Sequence, residues 1–331
     1  LGKAIGEIKF TTEGLFEVYD VNDLLIKKSI DILQINASSL KAEIRIFPQA
    51  KIFEFRGIKY RGQVILRPVG DSIFIINEVP LEKYLLSVVP SEMPTSWQIN
   101  ALKAQAICAR TYVIREILNK KNAPYDVDTT TASQVYGGVG KENPNSTEAV
   151  EETEGMILVF DKEPIHAFFH SNAGKETEVP ENVWNGKPLP YLRHVSSEYD
   201  DVDPKYSWTE KISFSQMDTS LSSLGIGGIR NIFVLGRNKS NRVELLEVVG
   251  SSGSKKVKGV EFRKLLGYTK LRSLKFGIIK ESDHYFIKGL GNGHGVGMSQ
   301  WGAKGMADAG YNYRKILEHY YPGAEVANII R

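Results

Sequence analysis

The sequence has one cysteine, Cys108, in 331 residues. That excludes an intrachain disulfide and any zinc site built from several cysteines. Because Cys108 sits inside an apolar helical stripe, it reads as a small core residue rather than a nucleophile. No apolar run approaches the roughly 20 residues that span a bilayer. A long Lys/Arg run is also missing, and a formal charge of +3 with a pI near 8.6 is too mild to mark a nucleic-acid binder. There is no G-x-S-x-G elbow, so Ser171 beside His170 does not make a serine hydrolase. The chain starts at Leu1 rather than Met, as expected if an N-terminal signal or anchor has been removed.

With 42% hydrophobic and 24% charged residues, the chain reads as globular, and its length favours two or three packed units. Residues 1–76 carry short alternating or apolar runs broken by Gly and Pro, such as Glu43 to Phe47 and Val64 to Leu66, and are expected to form a β-rich lobe. Pro80 should open a helix that Pro90 ends. A second helix should follow, capped by Thr95 with Gln98, its buried stripe running through Leu102, Ala106, Ala109, Val113 and Ile117. Two strands around a turn at 161–164 are expected between Ile157 and His170. Residues 205–285 have a separate rhythm and read as an inserted α+β unit. Helices are expected at 299–309 and from Asn312 to the stop at Pro322-Gly323.

Glu92 falls in Ser91-Glu-Met-Pro94, a junction bounded by Pro90 and Pro94. A carboxyl group fixed there against Met93 and Trp97 and stripped of water would hold its proton near neutral pH and act as an acid. An equally simple reading places Glu92 before a helix N-terminus, favoured by the helix dipole. The run Gly291-Asn-Gly-His-Gly-Val-Gly297 lacks the spacing of a nucleotide loop. Glycine at alternate positions allows close backbone approach to a ligand, or a tight structural turn, and displays His294. His166 and His170 on a strand would lie about 13 Å apart, too far to chelate one ion. Gln134 and Tyr136 alternate so as to point the same way, and an amide beside a phenol suits sugar hydroxyls, although an ordinary amphipathic strand reads alike.

Four blocks, in order, resemble the SpoIID/LytB family: Val89 to Pro94 with Ala101 to Ala106 and Ala109 to Tyr112; Thr129 to Gly138; Phe169 to Gly174 with Glu181 to Trp184; and Gly293 to Gly302. The resemblance runs from about residue 64 to the C-terminus. It implies a lytic transglycosylase that cuts the bond between N-acetylmuramic acid and N-acetylglucosamine in peptidoglycan, with Glu92 as the single acid/base. Some relatives are said to hold zinc through cysteine and histidine around the position of His170; this chain has no cysteine there, so no metal and no cofactor are expected.

The expected fold is therefore α+β: an N-terminal lobe over 1–76, a catalytic core over 77–204 and 286–331, and the insert over 205–285. Arg110, Gln134, Tyr136, His170, Ser171, His294 and Gln300 are expected to line a glycan groove or position the carboxylate. Two alternatives stand beside this: a hydrolase using a second carboxylate, Asp126, Asp128 or Asp200, and a glycan-binding modifier presenting wall to a partner amidase. The resemblance places the protein outside the cytoplasm, in the wall or membrane-anchored, acting on glycan strands with or without their stem peptides; the mild charge leaves no nucleic-acid partner expected.

Overall fold

The computed structural model describes residues 1–120, 123–130, 133–184 and 186–329, and the fold is α+β. Two compact units divide the chain: Leu1–Leu158 with Lys162–His166 and Val326–Arg331, and Val159–Asp161 with Ala167–Glu325.

The first unit opens with eight strands: β1 (Gly2–Ala4), β2 (Glu7–Tyr19), β3 (Leu25–Asn36), β4 (Ile44–Pro48), β5 (Ile52–Phe55), β6 (Ile58–Arg61), β7 (Gln63–Val69) and β8 (Ser72–Glu78). All pair antiparallel in the order β1-β8-β7-β4-β2-β5-β6, with β3 on β2, which is the β-rich lobe expected from the sequence. Alternation decides its inner face: Ile8, Phe10, Phe16 and Val18 of β2 are buried, together with Ile46, Phe53, Val64 and Leu66. Phe10 meets Phe53 edge-on at 5.9 Å. Truncating such a wholly buried phenylalanine to alanine costs about 3–5 kcal/mol.

Three helices follow: α1 (Leu81–Glu92), α2 (Ile99–Asn119) and α3 (Pro144–Glu151). Helix α1 does not stop at Pro90. Proline deprives Leu86 of its usual donor, but Ser91 Oγ donates to Ser87 O at 2.7 Å and the Met93 N–H to Val89 O at 3.0 Å, which carries the turn onward. The helix ends where Pro94 forces Met93 into extended backbone (φ −128°, ψ 143°). The Thr95–Gln98 capping box is not formed either. A turn closed by Trp97 N–H on Pro94 O takes up those residues, Gln98 is itself the N-cap, and the Thr95 carbonyl accepts from Asn145 Nδ2. The α2 stripe is buried through Val113, with Cys108 inside it, while Ile117 is exposed.

The rest of the chain contributes β9 (Met156–Phe160), β10 (Glu163–Pro164), β11 (Phe169–His170), β12 (Lys175–Glu176), α4 (Pro180–Trp184), β13 (Ser196–Ser197), β14 (Ser207–Ser213), α5 (Phe214–Leu221), β15 (Ile229–Arg237), β16 (Val243–Gly250), β17 (Gly253–Lys258), α6 (Gly259–Leu266), β18 (Phe276–Lys280), β19 (His284–Leu290), β20 (Met298–Ser299), α7 (Gln300–Asp308), α8 (Tyr313–Tyr320) and β21 (Glu325–Asn328). The expected hairpin over 157–170 is cut short: a left-handed turn at Asp161 and Lys162 is in place, but β10 is two residues long, and His170 belongs to β11, which pairs in parallel with β20.

In the second unit, β14-β19-β18 and β15-β16-β17 are antiparallel sheets sharing one hydrophobic cluster with α5 and α6, from Trp208 to Ile287. Ser207 pairs with Leu290, and the Gly291 N–H donates to Tyr206 O at 2.8 Å, so the segment between them leaves beside where it enters. The last helices start as expected, Ser299 capping α7 and Asn312 capping α8 through their side-chain oxygens.

Candidate active site

Glu92 is the last residue of α1 and is partly buried; its Oε1 accepts from the Val135 N–H at 2.9 Å. Six residues separate it from the start of α2, so it does not precede a helix N-terminus, and the dipole argument for its position fails. Behind it lies Tyr84, whose hydroxyl donates to Gln134 Oε1 at 3.2 Å. Burial, then the neighbouring Tyr136, Glu92, Tyr112 and Asp128, pushes the Tyr84 phenol far above its ordinary range, so it remains a donor at any physiological pH. Burial and Glu116 push Tyr112 up to about 12.

Gln134 and Tyr136 do point the same way, toward Tyr84, but the segment Thr129–Gly138 is not a strand where it is described, and Thr131 and Ala132 of that block lie outside the described residues. Gln134 is fully buried and donates through Nε2 to Ala109 O. The Tyr136 ring packs at a tilt with its centroid 4.9 Å from that of Tyr84, and its hydroxyl donates to Asn77 Oδ1. Arg110, also fully buried, grips Glu82 with two bonds of 2.8 and 2.7 Å and donates to the carbonyls of Met156 and Val150. It thus ties α1, α2, α3 and β9 together, and its guanidinium faces protein, not solvent.

His170, Ser171, His294 and Gln300 all belong to the second unit. The carbonyl of Val296 can only accept, so its 3.1 Å contact with His170 Nδ1 puts the proton there and leaves the buried Nε2 as an acceptor with no partner among the described residues. His294 Nδ1 accepts from the Val296 N–H, and its ring lies 5.4 Å from His170 and 5.0 Å from Trp184. Burial first, then the Arg263 charge, drives His294 down to about 4; burial, His294 and Arg242 drive His170 well below its usual value. Both imidazoles are therefore neutral at pH 7. Trp184 is 47% exposed and packs on Phe168 with ring centroids 4.7 Å apart and planes tilted by 46°. Ser171 accepts through its carbonyl from Trp301 N–H, and Gln300, at the start of α7, is buried. The glycine run is packed against the protein itself: at Gly297 (φ +74°) a Cβ would overlap the Phe168 carbonyl.

Asp200 is buried, accepts from Ser197 Oγ (2.8 Å), Ser299 Oγ (2.5 Å) and the Lys175 N–H, and burial pushes it up. Asp128 is partly buried near Tyr84 and caps the Thr130 N–H; Asp126 is exposed. Sequence reasoning missed Glu178, Arg242 and Arg263. Glu178 is 1% exposed and accepts from Val179, Asn182, Asn238 and Ser240. Nothing in local sequence announces these groups, because their partners are remote in the chain. Among the described residues, no three His, Cys, Asp or Glu side chains cluster as a metal would require.

The family model for stage II sporulation protein (SpoIID) matches residues 70–160, and one for a domain of unknown function (DUF8618) matches residues 196–297. The chain is 34% identical over 302 residues to an uncharacterized protein of Brachyspira hyodysenteriae, covering 90% of this chain and 80% of that one. It is 32% identical over 294 residues to the amidase enhancer of Bacillus subtilis, covering 74% of this chain but 40% of that protein. It is 35% identical over 267 residues to stage II sporulation protein D of Bacillus amyloliquefaciens, covering 76% of this chain and 75% of the relative. On that extent of identity, the chain belongs to the stage II sporulation protein D (SpoIID) family.

Proposed function

We propose that this protein is a lytic transglycosylase acting on peptidoglycan, with Glu92 as acid and then base. Family membership supports a cell-wall function. The observation that carries the finer reading is the setting of Glu92: a half-buried carboxyl at a helix end that accepts from the Val135 N–H, near the phenol of Tyr84, which stays neutral. In this reading protonated Glu92 gives its proton to the glycosidic oxygen as the muramic C1–O bond breaks. The same carboxylate then takes the proton of the sugar's C6 hydroxyl as that oxygen bonds to C1, closing a 1,6-anhydro ring without water. Arg110, Gln134 and Tyr136 act by positioning, since their polar atoms bond within the protein. His170, Ser171, His294 and Gln300 bind hydroxyl and acetamido groups. No cofactor is required, and the wall substrate places the protein outside the cytoplasm. Among the described residues no helix is long and apolar enough to cross a membrane.

Digestion of purified wall, followed by mass spectrometry, tests this: fragments should end in anhydro-muramic acid, one water lighter than hydrolysed fragments. Label from heavy-oxygen water at new reducing ends would make the protein a hydrolase instead. A second reading rests on the 32% identity to an amidase enhancer: the chain binds glycan and presents it to a partner amidase. Under it, wild-type protein would release no fragments alone yet raise an added amidase's rate.

A further inference from the structure

We infer that Arg242 and Arg263, from the 205–285 segment, are positioning residues that hold the Gly291–Gly297 loop and thereby aim His294. The inference rests on the proposal that His294 meets the glycan. Arg263 lies at the inner face of α6, 9% exposed, and its guanidinium bonds go to carbonyls: Leu271 O at 2.7 Å, Arg272 O at 2.5 Å and Gly293 O at 3.0 Å. The Gly293 N–H returns a bond to Arg272 O at 2.9 Å, so the residue just before His294 is held through both its N–H and its C=O.

Arg242 grips the other side. It is 2% exposed and donates to Ala173 O at 2.8 Å and Glu176 O at 3.1 Å. Its guanidinium lies flat over Gly295 (φ +87°), where a Cβ would come within 2.5 Å of Nη2. Glu178 stands 4.0 Å from Arg242, takes bonds from Asn238 and Ser240 of the same segment, and donates its N–H to Gly295 O at 2.8 Å. Gly293, on one side of His294, is therefore bonded by an insert side chain, and Gly295, on the other, is packed under one and bonded by the N–H of Glu178, whose carboxylate the insert holds.

Two nearly dry guanidiniums are an expensive way to stabilise a fold, since apolar packing of similar volume does it more cheaply. What they add is direction: forked donors dictate where the carbonyls they bond lie, Gly293 O of the loop among them. Their charge acts as well, because both stand among the cations that keep His294 unprotonated, with His170 the other titratable group on that ring.

The test follows His294 by NMR in protein labelled at histidine, with the whole chain. In Arg263→Met the His294 signals should shift and its titration midpoint rise from about 4 by about one pH unit or more toward the ordinary value. Arg263→Lys keeps the charge but loses the fork, so its His294 signals should move while the midpoint stays low. Lys264→Met removes the same charge from the exposed neighbouring position and should match wild type. His294 signals and midpoint unchanged in Arg263→Met would overturn the inference. Should that variant not fold, unchanged signals in Arg263→Lys would overturn it equally. Because this readout needs no substrate, a wild-type protein that cuts no glycan would sink the functional reading and leave this one standing.

Discussion

At the level of single residues, Glu92 and His294 differ in what fixes them. Glu92 ends a helix and accepts from the Val135 N–H, and the isosteric amide can accept the same bond, so replacing it should leave the fold intact while removing the proton donor. We expect Glu92→Gln to melt within a degree or two of wild type and to lose glycan cleavage by about 10²–10⁴-fold or more. Wild-type turnover in that folded variant would end the assignment. His294 makes a pH prediction. Its folded pKa is pushed down to about 4, below the unfolded value near 6.5, so between those limits the unfolded chain binds more protons. Its contribution is therefore fully present above pH 6.5 and lost as pH falls toward 4, on the order of 3 kcal/mol at most. Urea unfolding at pH 7.5 and 4.5 should show the loss in wild type, and a smaller one in His294→Gln.

At the level of elements, the periodic stretches were legible and their junctions less so. Helices α2, α7 and α8 follow from apolar spacing and, for the last two, from Ser299 and Asn312 at their N-caps. The strands of the first lobe follow from alternation. The end of α1 was misjudged because proline's local penalty was weighed without the bonds from Ser91 and Met93 that offset it. Strand β11 was unreadable as such: two residues long, it exists through its parallel partner β20, and no local pattern encodes a partner that far along the chain. The same limit hid the roles of Gln134 and Arg110, which looked like groove residues and turned out to bond inside the protein. Arg110 makes the element-scale prediction. Arg110→Met takes away the cation paired with Glu82 and one donor each from the Met156 and Val150 carbonyls, and should cost about 2–4 kcal/mol, near the low end because Glu82 keeps contact with water and with the Gly155 N–H. Urea unfolding measures it, and a loss under 1 kcal/mol would show that the clamp does not hold the helices.

For the whole molecule, the chemistry proposed needs only organic groups, and the block around His170 lacks the cysteine that a zinc site there would use. Cleavage should therefore persist in excess chelator, and elemental analysis should find no stoichiometric metal. One zinc per chain whose removal abolishes cleavage would overturn this. A larger consequence follows from the contact between Tyr206 and Gly291. A segment that enters and leaves by one doorway is a side branch on the chain's path: its length and content can change without altering the spacing of what it interrupts. Such a branch is free to diverge like a loop, yet this one reaches back with two arginines, Arg263 to Gly293 beyond its own exit and Arg242 to Ala173 ahead of its entry. Selection on the branch then acts through its contact points with the rest of the chain rather than along its length, so relatives could exchange the whole segment provided those grips were kept.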